Sequence, residues 1–437
     1  MNRLKKALSL SKLTALLLSI SHFAMALPTE SRVWETTSGH KTTAIALKIV
    51  DSKVHFKKPN NSVIKVNLDL LADADQQFLI KFFKITPSSD EQGNDSLVKG
   101  SNAKPLTGLS QPQGKVVGPI ESDGSHYYLY LPKSLKEGRL APLLFYTNSG
   151  GARKNGNLIN VLSDGAEALG WIMAISVESS NKNQNSSTAC AKSIKHILEN
   201  WPVDKNRIHY TGNSGGAARA FHNSVKTRAF GVMPNVGYIP SGAEIKTEVI
   251  YAISGGFDYN RYLSAYAAKT RGKDGFHRMT NKGHGNNSHS SYYVDGMIWM
   301  HCKFMDKKKS KLRDEAADFE ASIITWINNI KSSNPERAYA NACVVRDEYD
   351  MSGKNEGILN GIISELAKDN NNVLYHEALG DINDLSNKLM APLGRNNGSL
   401  RNHFHAPSNK AAKKLKQKYS GVKSITEVLD AIMKSTK

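Results

Sequence analysis

Two strings in this 437-residue chain have the composition of a nucleophile turn: Asn148-Ser149-Gly150-Gly151-Ala152 and Asn213-Ser214-Gly215-Gly216-Ala217. A serine hydroxyl is exposed for attack when it sits on a tight strand-to-helix turn, and that turn leaves no room two residues to either side. Gly212 and Gly216 meet the requirement around Ser214, whereas Thr147 stands two before Ser149. Ser214 is therefore the predicted nucleophile. A neutral hydroxyl needs a base, and the base needs a carboxylate that orients it. Around such an elbow the chain order is Ser, acid, His. Asp258 follows the apolar run 248–254 through Gly255-Gly256-Phe257, which puts it just past a strand end. Its structural alternative is an N-cap for a helix starting near Tyr259. His277, His284 and His289 come next; His284, between two glycines in a polar loop, is the predicted base. His289 is the second candidate, and His277 falls on the strand-like stretch itself. An unpaired surface histidine is the structural alternative for His284. The other Asn-Ser-Gly-Gly string then has a different job. Asn148, Ser149, Gly150 and Gly151 offer backbone N–H groups to a developing oxyanion, alongside Gly215. The chemistry this set can perform is acyl transfer, with no cofactor and no metal.

Positioning these residues takes alternating strands and helices, and residues 114–332 have that pattern. Runs 126–132, 141–147, 171–177, 207–211 and 248–254 read as strands. Runs 156–170, 189–201, 217–226 and 291–305 read as helices by their apolar spacing. The alternation predicts an α/β fold: a mainly parallel sheet covered on both faces. Before it, residues 27–84 alternate apolar and polar over short strands, followed by a helix at 73–83, and predict a small β domain. Residues 85–113, rich in Ser, Pro, Gly, Asn and Asp, read as a linker. Residues 333–437 lose the strands and read as a helical extension, with apolar stripes at 356–368 and 424–434. The His403-Phe404-His405 triplet reads as loop histidines rather than a metal site.

Residues 1–26 combine a basic start (Arg3, Lys5, Lys6), a short apolar core and Ala24-Met25-Ala26, the pattern of a removed secretory signal. Export to the periplasm or the extracellular space is the expectation, without stable membrane insertion. The formal net charge is +19, and four of those charges lie in the signal. The basic residues are dispersed and not interleaved with aromatics, which argues against nucleic acid and leaves contact with anionic cell-surface polymers as the use of the charge. Cys190, Cys302 and Cys343 are too few for a disulfide framework; a single Cys302–Cys343 bridge is expected.

The middle of the chain resembles an α/β-hydrolase of the branch that holds poly(3-hydroxybutyrate) depolymerases and feruloyl or acetylxylan esterases. The residues carrying the resemblance are YYLYLPKSLKEGRLAPLLFYTNSGG, WPVDKNRIHYTGNSGGAARAF, VIYAISGGFDYN and NKGHG, with Val203, Asp204, Arg207, Ile208, Tyr210 and Gly212 at the places that lead into the nucleophile. The resemblance implies Ser214 as nucleophile, Asp258 as acid and His284 as base. It further implies an ester substrate, polymeric or a polymer fragment. The chain departs from that pattern at the oxyanion loop, Thr-Asn-Ser-Gly-Gly in place of His-Gly-Gly, and at Asn286-Asn287 in place of Trp-Pro. A serine peptidase on the same fold, and a catalytically inactive binding protein, are the alternatives. The stretch RVWETTSGHKTTAIALKIVDSKVHFKKPNNSVIKVNLDLLADADQQFL resembles an SLA-homology domain, an SH3-like barrel that binds or spaces and does not catalyse.

Overall fold

The computed structural model describes residues 29–36, 40–50, 53–67, 71–82, 111–152, 162–240, 245–258, 260–284, 290–308, 312–351, 353–389 and 400–434. The signal segment 1–26, most of the linker and His289 lie outside the described residues. Contacts divide the chain into two units, Met1–Ser89 and Asp90–Lys437.

The first unit is an antiparallel meander of four strands, β1 (Arg32–Glu35), β2 (Lys41–Val50), β3 (Lys53–Lys57) and β4 (Val63–Asn67), followed by α1 (Asp73–Phe82). Trp34, Ala44, Ala46, Val54, Phe56, Leu71 and Leu79 make its core. A bridge between Thr36 and Leu71 ties the chain leaving β1 to the chain leaving β4. The buried Asp75 on α1 reinforces the tie: it accepts from Arg32 Nη2 at 2.8 Å and from the Glu35 amide at 2.7 Å.

The second unit is built on an eight-stranded sheet of order β12-β11-β10-β9-β7-β8-β6-β5. The strands are β5 (Val116–Ser122), β6 (Ser125–Tyr130), β7 (Ala141–Asn148), β8 (Ile172–Ser176), β9 (Val203–Asn213), β10 (Gly231–Asn235), β11 (Val249–Gly255) and β12 (Gly275–Thr280). β7 to β12 run parallel, and β6 runs against its neighbours β5 and β8. Parallel strands with helices on both faces are apolar throughout, and each side chain's face follows from the two-residue period. Along β7, Leu144 and Tyr146 enter one core, while Leu143 and Phe145 enter the other.

The first core is closed by α2 (Ser163–Leu169), α6 (Ser290–Lys308), α7 (Arg313–Lys331), α8 (Pro335–Glu348) and α9 (Gly353–Leu366). α3 (Ser186–Asn200), α4 (Gly215–Thr227) and α5 (Arg261–Lys269) cover the opposite face. A third cluster joins Met279 of β12 and Ala340 of α8 to α10 (Asn370–Leu389), α11 (Leu400–Lys418) and α12 (Lys423–Lys434). Residues beyond 333 thus share cores with the sheet, and α8 and α9 belong to its first layer.

Two expectations change, and one strand is new. Cys190, Cys302 and Cys343 are all free and buried. Cys302 and Cys343 pack as apolar side chains in the first core, so no Cys302–Cys343 bridge exists; burial pushes the Cys302 thiol upward and the Cys190 thiol to about 11. Residues 403–405 lie on α11 rather than in a loop. β10 was not legible as a strand because Pro234 interrupts it, and proline withholds a ladder donor. No helix of the described residues is long and apolar enough to cross a membrane.

Candidate active site

β7 and β9 are neighbours in parallel register, with Thr147 beside Gly212 and Asn148 beside Asn213. The two similar strings therefore leave the sheet side by side at its carboxyl edge, where sites of open α/β sheets assemble. They diverge at the next residue. β9 turns directly into α4, and Ser214 at that turn holds φ 56° and ψ −121°. This is the left-handed side of the map, which costs a serine about 1–3 kcal/mol and turns its side chain out of the sheet. The flanking glycines are required by contact. A Cβ on Gly212 would stand 2.6 Å from the Thr147 carbonyl oxygen and 2.5 Å from that of Gly216, and a Cβ on Gly216 would collide with the Thr147 carbonyl. Thr147, fully buried, locks the approach by donating its hydroxyl to the Gly216 carbonyl at 2.7 Å. From the other side, the Ser214 amide donates to the Asn235 carbonyl of β10 at 2.9 Å. Asn235 in turn donates Nδ2–H to Tyr293 Oη of α6 at 2.6 Å.

Asp258 leaves β11 through a turn in which its own amide donates to the Gly255 carbonyl. It is fully buried, and Oδ1 accepts from the Asn260 amide at 2.9 Å, an Asx turn that leads into α5 without capping it. The same Oδ1 lies 2.9 Å from Nδ1 of His284, on the loop that follows β12. His284 Nε2 lies 2.8 Å from Ser214 Oγ. Asp258 can only accept, so Nδ1 carries the proton and Nε2 presents a lone pair to the serine hydroxyl. The His284 side chain is 25% exposed and that of Asp258 0%, so the acid end is sealed and the serine end opens to solvent.

The other candidates separate cleanly. Among the described residues, Ser149 has no bond to a histidine. His277 lies inside β12, buried, with Nε2 2.7 Å from Ser254 Oγ and burial holding its pKa down at about 3. Of the oxyanion candidates, the Asn148 amide is already bonded to Ser179 Oγ at 3.1 Å and Gly151 donates to the Asn148 carbonyl at 2.9 Å. Gly150 makes a long bond, 3.4 Å, to Asn148 Oδ1. The Ser149 amide keeps no protein acceptor among the described residues, and Gly215, the first residue of α4, has none within its helix. Asn148 thus acts as a clamp for the loop, not as a backbone donor, because a buried Ser179 takes up its N–H.

Sequence reasoning missed Ser179, Asn181 and the place of the last helix beside the acid turn. Ser179 and Asn181 fall in the polar run 178–188, whose only local signal is a turn. α12 packs against the Asp258 turn, where a Cβ on Gly256 would come 2.7 Å from Ala431 Cβ, and Glu427 of α12 accepts from Asn281, three residues before His284, at 2.7 Å.

The mixed eight-stranded sheet with helices on both faces fits the α/β-hydrolase fold. Among solved structures, the chain is similar to a hyperthermophilic esterase from the archaeon Pyrobaculum calidifontis: 15% identity over 48% of this chain and 85% of that one, TM-score 0.33. Est1E from Butyrivibrio proteoclasticus aligns at 12% identity over 44% of this chain and 98% of its own, TM-score 0.34. The fluorophosphonate-binding serine hydrolase FphF of Staphylococcus aureus aligns at 9% identity over 44% and 99%, TM-score 0.34. No protein-family model and no curated protein matches the chain.

Proposed function

We propose that this chain is a serine esterase that cleaves carboxylic esters through an acyl-enzyme. One observation carries the reading: His284 bridges Ser214 Oγ at 2.8 Å and the buried Asp258 at 2.9 Å, with Ser214 raised on a strained elbow. His284 Nε2 takes the hydroxyl proton as Oγ bonds to the ester carbonyl carbon. The carbonyl oxygen becomes an oxyanion, held by the amides of Ser149 and Gly215. Nε2 then returns the proton to the alcohol oxygen as the C–O bond breaks. Water repeats the sequence on the acyl-serine and releases the acid. Asp258 keeps the ring in the productive tautomer and stabilises the imidazolium.

The substrate class rests on the resemblance of residues 114–332 to depolymerases and carbohydrate esterases: an ester on a polysaccharide, or a polyester. The signal-like residues 1–26 support action outside the cytoplasm, where the net positive charge favours anionic cell-surface polymers. Residues 27–84 then serve as a binding or spacing module of the SH3-like kind.

The test is hydrolysis of p-nitrophenyl acetate and butyrate, with labelling by a fluorophosphonate. Wild type should turn over and be labelled at Ser214, Ser214→Ala should lose at least about 10⁴-fold in kcat, and Ser149→Ala, which keeps its amide, should stay within about threefold. An inert, unlabelled wild type defeats the reading and leaves a binding protein. Labelling with turnover of peptide but not ester substrates assigns it to the peptidases instead.

A further inference from the structure

The elbow pattern demands glycine two residues to either side of the serine but leaves the position directly after it open to any residue. Here that position is Gly215, and a side chain there would have to displace the exposed carboxamide of Asn181. A Cβ on Gly215 would run into the carboxamide of Asn181, meeting Nδ2, Oδ1 and, at 2.7 Å, Cγ. Asn181 stands in the turn after β8, the strand beside β7. Its backbone amide donates to the Ser149 carbonyl at 2.9 Å, so the same residue also holds the oxyanion loop. Its carboxamide makes no hydrogen bond among the described residues and is exposed. An amide with two unused N–H donors therefore rests on the residue whose own N–H is the elbow's oxyanion donor, and is tied by its backbone to the loop that supplies the other.

We propose that Asn181 Nδ2–H is a third donor to the oxyanion, an inference that rests on the serine-esterase reading of the same site. It explains two departures together: a glycine where the elbow does not need one, and an oxyanion loop whose amides, apart from that of Ser149, are spent on holding its own shape. A donor aimed at charge that exists only in the tetrahedral intermediate acts on kcat and not on ground-state binding.

The experiment measures p-nitrophenyl butyrate kinetics and fluorophosphonate labelling rates for wild type, Asn181→Ala and Asn181→Asp. Both variants keep the backbone bond to Ser149. Asn181→Ala should lower kcat about 10²-fold with KM within about twofold, and slow labelling in parallel. Asn181→Asp, nearly the same size and shape, should be slower than Asn181→Ala, because a carboxylate repels the oxyanion. A merely packing role would have Asp restore what Ala lost. The inference is overturned, with the esterase reading intact, if wild type is active and Asn181→Ala keeps kcat within about threefold, or if Asn181→Asp matches or exceeds Asn181→Ala. A wild type that neither turns over nor labels brings down the esterase reading and this inference with it.

Discussion

Ser214 is held against its own backbone preference. At φ 56° its Cβ crowds the neighbouring peptide, and the conformation persists because Asn235 holds its amide while Thr147 and Gly216 close on the turn. Replacing the serine by alanine leaves that strain in place, whereas glycine removes it. Ser214→Gly should therefore be more stable than Ser214→Ala by about 1 kcal/mol, the relief outweighing glycine's larger entropy in the unfolded chain. Urea unfolding of the two variants measures the difference. Equal midpoints would mean that the elbow stores no strain at this residue.

Each residue of the candidate site lies just past the end of a parallel strand: Ser149 after β7, Asn181 after β8, Ser214 after β9, Asp258 after β11 and His284 after β12. Such an edge brings together loops that are remote in sequence, and the precision of the site depends on what stands behind each loop. Behind the acid turn stands α12. With Gly256 against the backbone of Ala431 and Ile432, a single methyl cannot be absorbed by a rotamer change, so the helix or the turn must move. Gly256→Ala should lower stability by about 1–3 kcal/mol and reduce kcat more than it raises KM, because Asp258 loses its register with His284. Thermal unfolding and ester kinetics on the one variant test this. A variant with wild-type values in both would show that the last helix does not position the acid.

Across the whole second unit, the sheet separates two apolar cores, and both faces of every central strand are sealed. Burial of a large side chain contributes about 1.5–3 kcal/mol, so residues such as Trp171, Tyr210 and Phe145 dominate the stability of this unit. The same sealing traps histidines. His209 and His277 are held down at about 3, and His301 well below its ordinary value of 6.5, in each case by burial first. His301 accepts from Trp171 Nε1 at 2.8 Å, a bond that a protonated ring cannot accept. These rings stay neutral in the fold and take up protons on unfolding below pH 6.5. Stability is therefore complete above about pH 6.5 and falls as pH drops towards 3, with a limiting slope of about 1.4 kcal/mol per pH unit for each ring. Denaturant unfolding from pH 7.5 to 4.5 should show a steeper acid loss in wild type than in His277→Asn, by about that amount per unit. Identical slopes would rule out His277 as an acid-labile group.

By itself, the sequence determined what acts within a few residues. Glycines at 212 and 216, an apolar run of strand length before each loop, and the order serine, acid, histidine were enough to single out Ser214, Asp258 and His284, which the fold brings into one hydrogen-bonded row, because an elbow and a strand end are local steric facts. The alternation of apolar strand-length runs with helical stripes named the sheet covered on both faces, since strands buried on both sides are apolar throughout. Tertiary structure alone decided what depends on neighbours far along the chain. Pro234 lies on an interior strand, Cys302 and Cys343 stay apart inside one core, Asn148 spends its amide on Ser179, and Asn181 occupies the space that Gly215 leaves open. None of these has a periodicity or a spacing that marks it. Each is a matter of which surfaces the sheet order brings within a few ångströms, and that follows from packing the whole unit at once.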